Sequence, residues 1–167
     1  LDSVLSYDMG GTTAKVCIIE DGTPGTAKTF EVARTHRFKK GSGMPISVPV
    51  IEMIEIGAGG GSIAEVDALG QIRVGPLSAS SEPGPAAYGL GGTQATVTDA
   101  NLVLGRLSAD TFGAPGIDLV DEKARAALAI HVATPLNLNV ETAAIGITEV
   151  VDENMSNAAR VHAVENG

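Results

Sequence analysis

Apolar residues recur at two different periods along this chain, and the switch between them divides it. Residues 3–7 and 14–19 are short apolar runs, separated by Asp8, Met9, Gly10, Gly11, Thr12 and Thr13. Asp21-Gly22 marks a turn, and residues 29–35 set Phe30 and Val32 against Glu31 and Ala33. Runs this short, bounded by glycine-bearing turn signals, read as strands. The three together predict an antiparallel meander. Residues 41–49, rich in Gly, Pro and Ser, form a loop, and residues 50–56 predict a buried strand. Four glycines fall in the five positions 57–61, just before Ser62. Residues 63–74 predict a hairpin turning at Leu69-Gly70. Residues 75–92 predict a long irregular loop, of a length usually found where a loop has a function or moves.

The last third follows the helical period instead. Thr98-Asp99 can cap a short helix over residues 100–107. Asp118 can cap a second, running to about Ala133, where Thr134-Pro135 stops it. Asn139 can cap the longest, over residues 140–165, whose Ala143, Ala144, Ile147, Val151, Met155 and Ala159 keep one apolar stripe. Antiparallel hairpins first and helices last give an α/β chain in an α+β arrangement, one domain over residues 1–167.

Composition sharpens this picture in two ways. The 167 residues suffice to bury a core, but aromatic residues are 3% of the chain and Trp is absent. The core is therefore expected to be built from Val, Ile, Leu and Ala. With a formal net charge of −9 the chain is a poor general binder of nucleic acid, and none is expected as a partner. Residues 1–40 carry six basic and five acidic groups, the remainder five basic and fifteen acidic. Much of that early basicity is Arg34, Arg37, Lys39 and Lys40, which reads as a solvated loop or as a patch for an anionic ligand or partner. The single cysteine, Cys17, sits in an apolar run and is expected as a buried core thiol, which fits a reducing cytoplasm. No stretch of 18 apolar residues occurs, so a membrane is not an expected partner.

The candidate chemistry lies at the first two strands. An apolar strand delivers Asp8 to its end, and Gly10 and Gly11 let the backbone turn and approach a ligand with no Cβ in the way. Amides in such a turn form an anion-binding concavity, to which Thr12 and Thr13 add hydroxyl donors. Asp8 would repel a bare phosphate, so its expected task is to hold Mg2+, directly or through water. Lys15 could add positive charge or point to solvent. The pattern GxxxxGK[ST] is absent and the glycines lead into a strand, so this is neither a P-loop nor a dinucleotide fingerprint. The alternative is a plain Gly-Gly hairpin with an incidental Asp.

This strand-loop-strand unit resembles the phosphate hairpins of the actin-like ATPase superfamily, where two related hairpins clasp the nucleotide phosphates. Further motifs follow in order: IGAGGGSIA at residues 56–64, RVGP at 73–76, PGPAAYG at 83–89 and TVTDANLVLGRL at 96–107. The series resembles the hydantoinase A / 5-oxoprolinase family, which includes the β-type subunits of acetone carboxylases, and it spans almost the whole chain.

That resemblance implies an actin-like ATPase (ribonuclease H-like) half-domain, ATP and Mg2+ as cofactors, and a small cyclic amide or ketone as substrate. It implies that ATP phosphorylates a carbonyl or enol oxygen. Ring opening of the hydantoin or 5-oxoproline type, or carboxylation of the acetone type, then follows, commonly with a second subunit of hydantoinase B type. A small-molecule kinase of the same superfamily and a non-catalytic interaction domain are the other readings. Phosphate binding is implied for Asp8, Gly10, Gly11, Thr12 and Thr13, and a place on the same cleft for Gly57, Gly59, Gly60, Gly61 and Ser62. Asp99 and Asn101 fall in TVTDAN, with Asp99 serving either a helix cap or the site. Many relatives carry Asp-x-His before the glycine loop. Here Glu52-Met53-Ile54 stands instead, so no histidine-based metal site is expected, and Glu52 is either a carboxylate ligand or a strand-edge charge. Many relatives also have an acidic residue where Lys15 stands. His36, His131 and His162 share no metal-ligand spacing, and the last two are expected to be structural or solvent-facing. No catalytic residue is assigned. Finally, the resemblance implies an earlier D-x-G-G-T hairpin and a later adenosine-contacting loop. The chain is thus expected to be part of a longer protein whose remainder is its partner, with weak or no nucleotide binding alone.

Overall fold

The computed structural model describes residues 2–33, 35, 41–113 and 116–166. Arg34, His36, Arg37, Lys39 and Lys40 lie outside the described residues, and with them the basic patch. Strands β1 (Ser3–Met9) and β2 (Ala14–Glu20) form the predicted antiparallel hairpin, with Asp8 opposite Lys15 and Met9 opposite Ala14. Asp21 and Gly22, at φ 48° and 73°, turn the chain back into β3 (Thr23–Pro24), which follows β2 for two residues. Pro24 has no amide with which to extend that ladder. The chain leaves β2 there, through β4 (Thr26–Ala27).

The expected third strand of the meander does not form. Of the described residues among 29–35 only β5 (Phe30–Val32) is strand, and it pairs with β6 (Met44–Ile46) in a separate ribbon. The expected buried strand at 50–56 is also divided. Its first part, β7 (Val50–Ile51), pairs with β4, and its second, β8 (Ile54–Ile56), takes the place beside β2. Because the two pieces serve different sheets, the segment is half-exposed rather than buried. Strands β9 (Ser62–Val66) and β10 (Ile72–Ser78) form the second predicted hairpin. Its turn is held by the Asp67 carboxylate, which accepts from the Leu69 and Gln71 amides at 2.8 and 3.0 Å.

Helix α1 (Val97–Val103) begins three residues earlier than expected, capped by Thr96. Helix α2 (Asp121–Leu128) starts after Val120, with no side-chain cap from Asp118. Thr134-Pro135 does not stop it. The chain passes through one π-turn, Ala129–Ala133, into α3 (Thr134–Leu136) and ends at Asn137, at φ 54°. Pro135 falls in the first turn of that last segment, where a missing amide is tolerated. Helix α4 (Val140–Asn166) has the predicted cap: the Asn139 side-chain oxygen accepts from the Thr142 amide at 2.7 Å.

The main core lies among β9, β10, α1, α2 and α4. Val97, Leu128, Val132, Ile147 and Val151 are packed there with Ala64, Ala95, Ala100, Ala143 and Ala144, the aliphatic core that the composition requires. The first hairpin stands against this body by Ala14 and Val16, both fully buried. All seven residues of β1 are exposed, and Cys17 is half-buried rather than a core thiol.

Candidate functional site

The tip of the β1–β2 hairpin is an opened turn. The Gly10 amide donates to the Thr13 carbonyl at 2.9 Å, but the reciprocal bond that would close a two-residue turn is missing. Its acceptor, the Gly10 carbonyl, takes the Gly60 amide instead, at 3.0 Å, and the next carbonyl, of Gly11, takes the Gly61 amide at 2.6 Å. Among the described residues the amides of Gly11, Thr12 and Thr13 have no hydrogen-bond partner. Three successive free amides at one turn make an anion-binding concavity. Asp8 stands one strand position behind it on the exposed face, flanked by Lys15, which is itself opposite Glu55. Directly opposed side chains lie within about 5.5 Å at Cβ, so a cation lies beside the one carboxylate at the tip.

The glycines of the two loops have different causes. A Cβ on Gly11 would meet nothing within 4 Å, and neither Gly10 nor Gly11 has a positive φ. The fold itself does not demand glycine at position 11. The second loop is the reverse case. A Cβ on Gly59 would lie 2.7 Å from the Gly10 carbonyl oxygen, on Gly60 2.8 Å from the Thr98 hydroxyl, and on Gly61 2.9 Å from the Ser78 hydroxyl. These three are required by close packing, on the hairpin backbone at Gly59, on the Thr98 hydroxyl at Gly60 and on both the Ser78 hydroxyl and the Gly11 carbonyl at Gly61.

Gly59, Gly60, Gly61 and Ser62 are expected to border a phosphate, and the structure shows what their own polar groups contact within the chain. The structure brings the two glycine loops together as expected, but the Gly60 and Gly61 amides are engaged by the hairpin itself. The Ser62 hydroxyl is fully buried and accepts from the Gly59 amide at 2.9 Å.

Asp99 takes the capping role of the two left open. It is fully buried at the start of α1. One carboxylate oxygen accepts from the Thr96 amide and hydroxyl at 2.9 and 2.7 Å, and the other from the Ala87 amide at 2.7 Å. Burial pushes its carboxyl above the usual range, opposed by those hydrogen bonds. Asn101 is not brought to the tip either. It is half-buried further along α1, where its carbonyl accepts from the Arg106 and Leu107 amides. Glu52 lies at the other end of β2, its amide bonded to the Gly25 carbonyl at 2.7 Å, in an open groove with Phe30, Met53 and His162. His131 contacts the Thr93 carbonyl at 3.0 Å and His162 is buried. Among the described residues no group of three potential ligands could hold a metal ion without help from a substrate.

Thr98 is the residue the sequence reading undervalued. Its amide and its hydroxyl both donate to the Gly60 carbonyl, at 2.7 and 2.9 Å. The signal was present, as a threonine in the first turn of a helix that follows a glycine loop, but it read as a cap.

The family model for hydantoinase/oxoprolinase matches residues 1–167. The α subunit of caprolactamase from Pseudomonas jessenii is 38% identical over 167 residues, which is all of this chain and 23% of that one. The crystal structure of that ATP-dependent caprolactamase superposes with a TM-score of 0.78 at 37% identity, covering 96% of this chain and 22% of that one. A nucleotide-free structure of acetone carboxylase, from work on ATP-dependent acetone carboxylation, gives a TM-score of 0.79 at 28% identity, with 96% and 22% covered. The 5-oxoprolinase PfmaA of Pestalotiopsis fici is 36% identical over 169 residues, 94% of this chain and 12% of that one. The chain thus spans less than a quarter of the length of each of these relatives. The fold is the expected α/β half-domain of actin-like ATPase type, with antiparallel hairpins followed by helices.

Proposed function

Because this chain belongs to the hydantoinase/oxoprolinase family, we propose that it is the phosphate-binding lobe of an ATP-dependent enzyme that opens cyclic amides of the hydantoin or 5-oxoproline type. One observation carries the reading: the hairpin tip, where the amides of Gly11, Thr12 and Thr13 are free among the described residues and Asp8 lies on the strand that leads into the turn. A Cβ-free Gly11 that the fold does not itself need fits a ligand approaching the backbone closely.

The residues present fit Mg2+. That ion is usually held by one or two carboxylates together with phosphate and water oxygens, and Asp8 is an exposed carboxylate on the strand that runs into the Gly10-Gly11-Thr12-Thr13 turn. Asp8 would hold it, and bound Mg2+ supplies neutralisation of phosphate charge. The chain's own groups do the rest. The three amides orient the phosphates, Thr12 and Thr13 donate to their oxygens, and Lys15 offsets the charge of Asp8 when the site is empty.

The remainder of a longer chain, carrying the opposing hairpin and the adenosine contacts, completes the nucleotide site in this reading. The uncovered strand β1 supports it, with Leu5, Tyr7 and Met9 all exposed on one face. A second subunit of hydantoinase B type and a cytoplasmic location belong to the same proposal. Among the described residues no helix is long and apolar enough to cross a membrane.

The test is ATP consumption by the full-length enzyme with 5-oxoproline, hydantoins, a lactam and acetone. ADP release that depends on a cyclic amide supports the proposal. The likeness to acetone carboxylase favours a second reading, a carboxylase subunit, which ketone-dependent consumption would reveal. A stable phosphorylated product points to a kinase. No nucleotide response from the intact enzyme would sink all three and leave an interaction domain.

A further inference from the structure

We infer that the second glycine loop is a pair of peptide relays that aim and polarise the phosphate-binding amides, with Thr98 as the positioning residue that drives one of them. This rests on the phosphate-lobe reading and deepens it. In a trans peptide the carbonyl and the N–H of one unit point in opposite directions. The carbonyl of Gly60 and the amide of Gly61 belong to one unit. That carbonyl accepts from the Thr98 amide and hydroxyl at 2.7 and 2.9 Å, and that amide donates to the Gly11 carbonyl at 2.6 Å. The Gly11 carbonyl shares its own unit with the Thr12 amide, which therefore points away from the glycine loop. The polarisation runs from Thr98 through Gly60-Gly61 to Gly11-Thr12.

A second relay lies beside the first. The Ser62 amide donates to the Gly59 carbonyl at 3.0 Å, and the Gly60 amide of that same unit donates to the Gly10 carbonyl at 3.0 Å. The Gly10 carbonyl shares its unit with the Gly11 amide. Each relay ends on a tip amide that has no partner among the described residues. Hydrogen bonds in series strengthen one another by roughly 10–30% per bond, so both amides meet an anion already polarised and already aimed. The two relays also explain why three glycines stand in a row, since each one's Cβ would fall within 3 Å of an atom of the relay or its support.

The relays differ in their first donor, and that makes them separable. The first has a side-chain donor, the Thr98 hydroxyl, in addition to the Thr98 amide, whereas the second begins at a backbone amide alone, which substitution does not remove. The experiment uses the full-length protein with glycine- and threonine-selective 15N labelling, read first without nucleotide. Thr98→Val removes the hydroxyl and keeps the shape. It is expected to move the Thr12 amide proton upfield, to move the Gly11 amide less, and to weaken ATP binding about 3- to 10-fold, the loss of one hydrogen bond. Thr98→Ser is expected to restore the signal and the affinity. Should Thr98→Val not fold, Thr98→Cys places a weaker donor at the same point, and a smaller shift of the same pattern is expected. A Thr12 amide that does not move in a folded variant overturns the relay, as does an equal shift of Gly11 and Thr12. Because the shift is read without ATP, it judges the relay separately from nucleotide binding. A wild-type enzyme that binds no ATP overturns the phosphate-lobe reading instead.

Discussion

The amide of Gly61 donates to the carbonyl of Gly11 at 2.6 Å, joining the two glycine-rich loops by backbone alone. No side chain stands between them, so the position of the hairpin tip is set by the path of the second loop.

The two loops respond oppositely to one added methyl group. In Gly61→Ala the new Cβ lies 2.9 Å from the Ser78 hydroxyl and 3.0 Å from the Gly11 carbonyl oxygen. Overpacking of this kind destabilises by about 1–3 kcal/mol. In Gly11→Ala the Cβ meets no protein atom within 4 Å, so stability is expected to stay within about 0.5 kcal/mol of the parent. Its ATP affinity, however, is expected to fall at least about tenfold, which corresponds to about 1.4 kcal/mol. Denaturant titration and ATP titration of both variants in the full-length enzyme check this. Undiminished ATP binding by Gly11→Ala would remove the hairpin tip from the site.

Asp8→Asn keeps size and removes the charge. Nucleotide binding with Mg2+ is expected to weaken several-fold, while binding without the metal is expected to hold or improve, since Asn does not repel phosphate. Calorimetric titrations with ATP, each with and without Mg2+, give the comparison. Equal losses in both conditions would mean that Asp8 does not hold the metal.

Asp99→Ala is a stability variant. It strands the buried Thr96 and Ala87 amides and the Thr96 hydroxyl. Each stranded buried donor costs about 1–3 kcal/mol, so a loss of at least about 3 kcal/mol is expected by chemical denaturation. A variant of parental stability that has lost activity would return Asp99 to the site.

Strand β1 predicts association. An exposed strand with apolar residues and a free edge pairs readily with another chain. The 167-residue chain alone is expected to self-associate in sedimentation velocity, and Leu5→Lys to suppress this. The full-length enzyme, with β1 covered, is expected to be insensitive to the substitution. A monomeric 167-residue chain at high concentration would count against an uncovered edge.

Much of this molecule was legible in its sequence. The two hairpins, the Asn139 cap and the aliphatic core each rest on local pattern, and each is present. Failures came where distant segments compete for one place. Residues 29–35 alternate well enough for a third strand, yet Pro24 ends the ladder on β2 and β8 takes the site from across the chain. The helix expected to stop at Pro135 continues because a single π-turn accommodates it. At the candidate site the clustering of glycines was visible, but the direction of their amides was not. Whether Gly60 and Gly61 face a ligand or the hairpin depends on a tertiary approach that no short window records. Thr98 was undervalued for the same reason, since its partner lies 38 positions away.

That separation has a consequence for the order of folding. Local hairpins close early because the loops they fasten are short, whereas contacts between distant segments wait for the intervening chain. The tip of β1–β2 reaches its final shape only when Gly60 and Gly61 arrive, and they are fixed only when α1 has formed against the core. The concavity for the anion is therefore among the last features to mature. If the lobe holds phosphate as proposed, nucleotide affinity of the full-length protein is expected to report completed folding, with none in a chain still on its way to the native state.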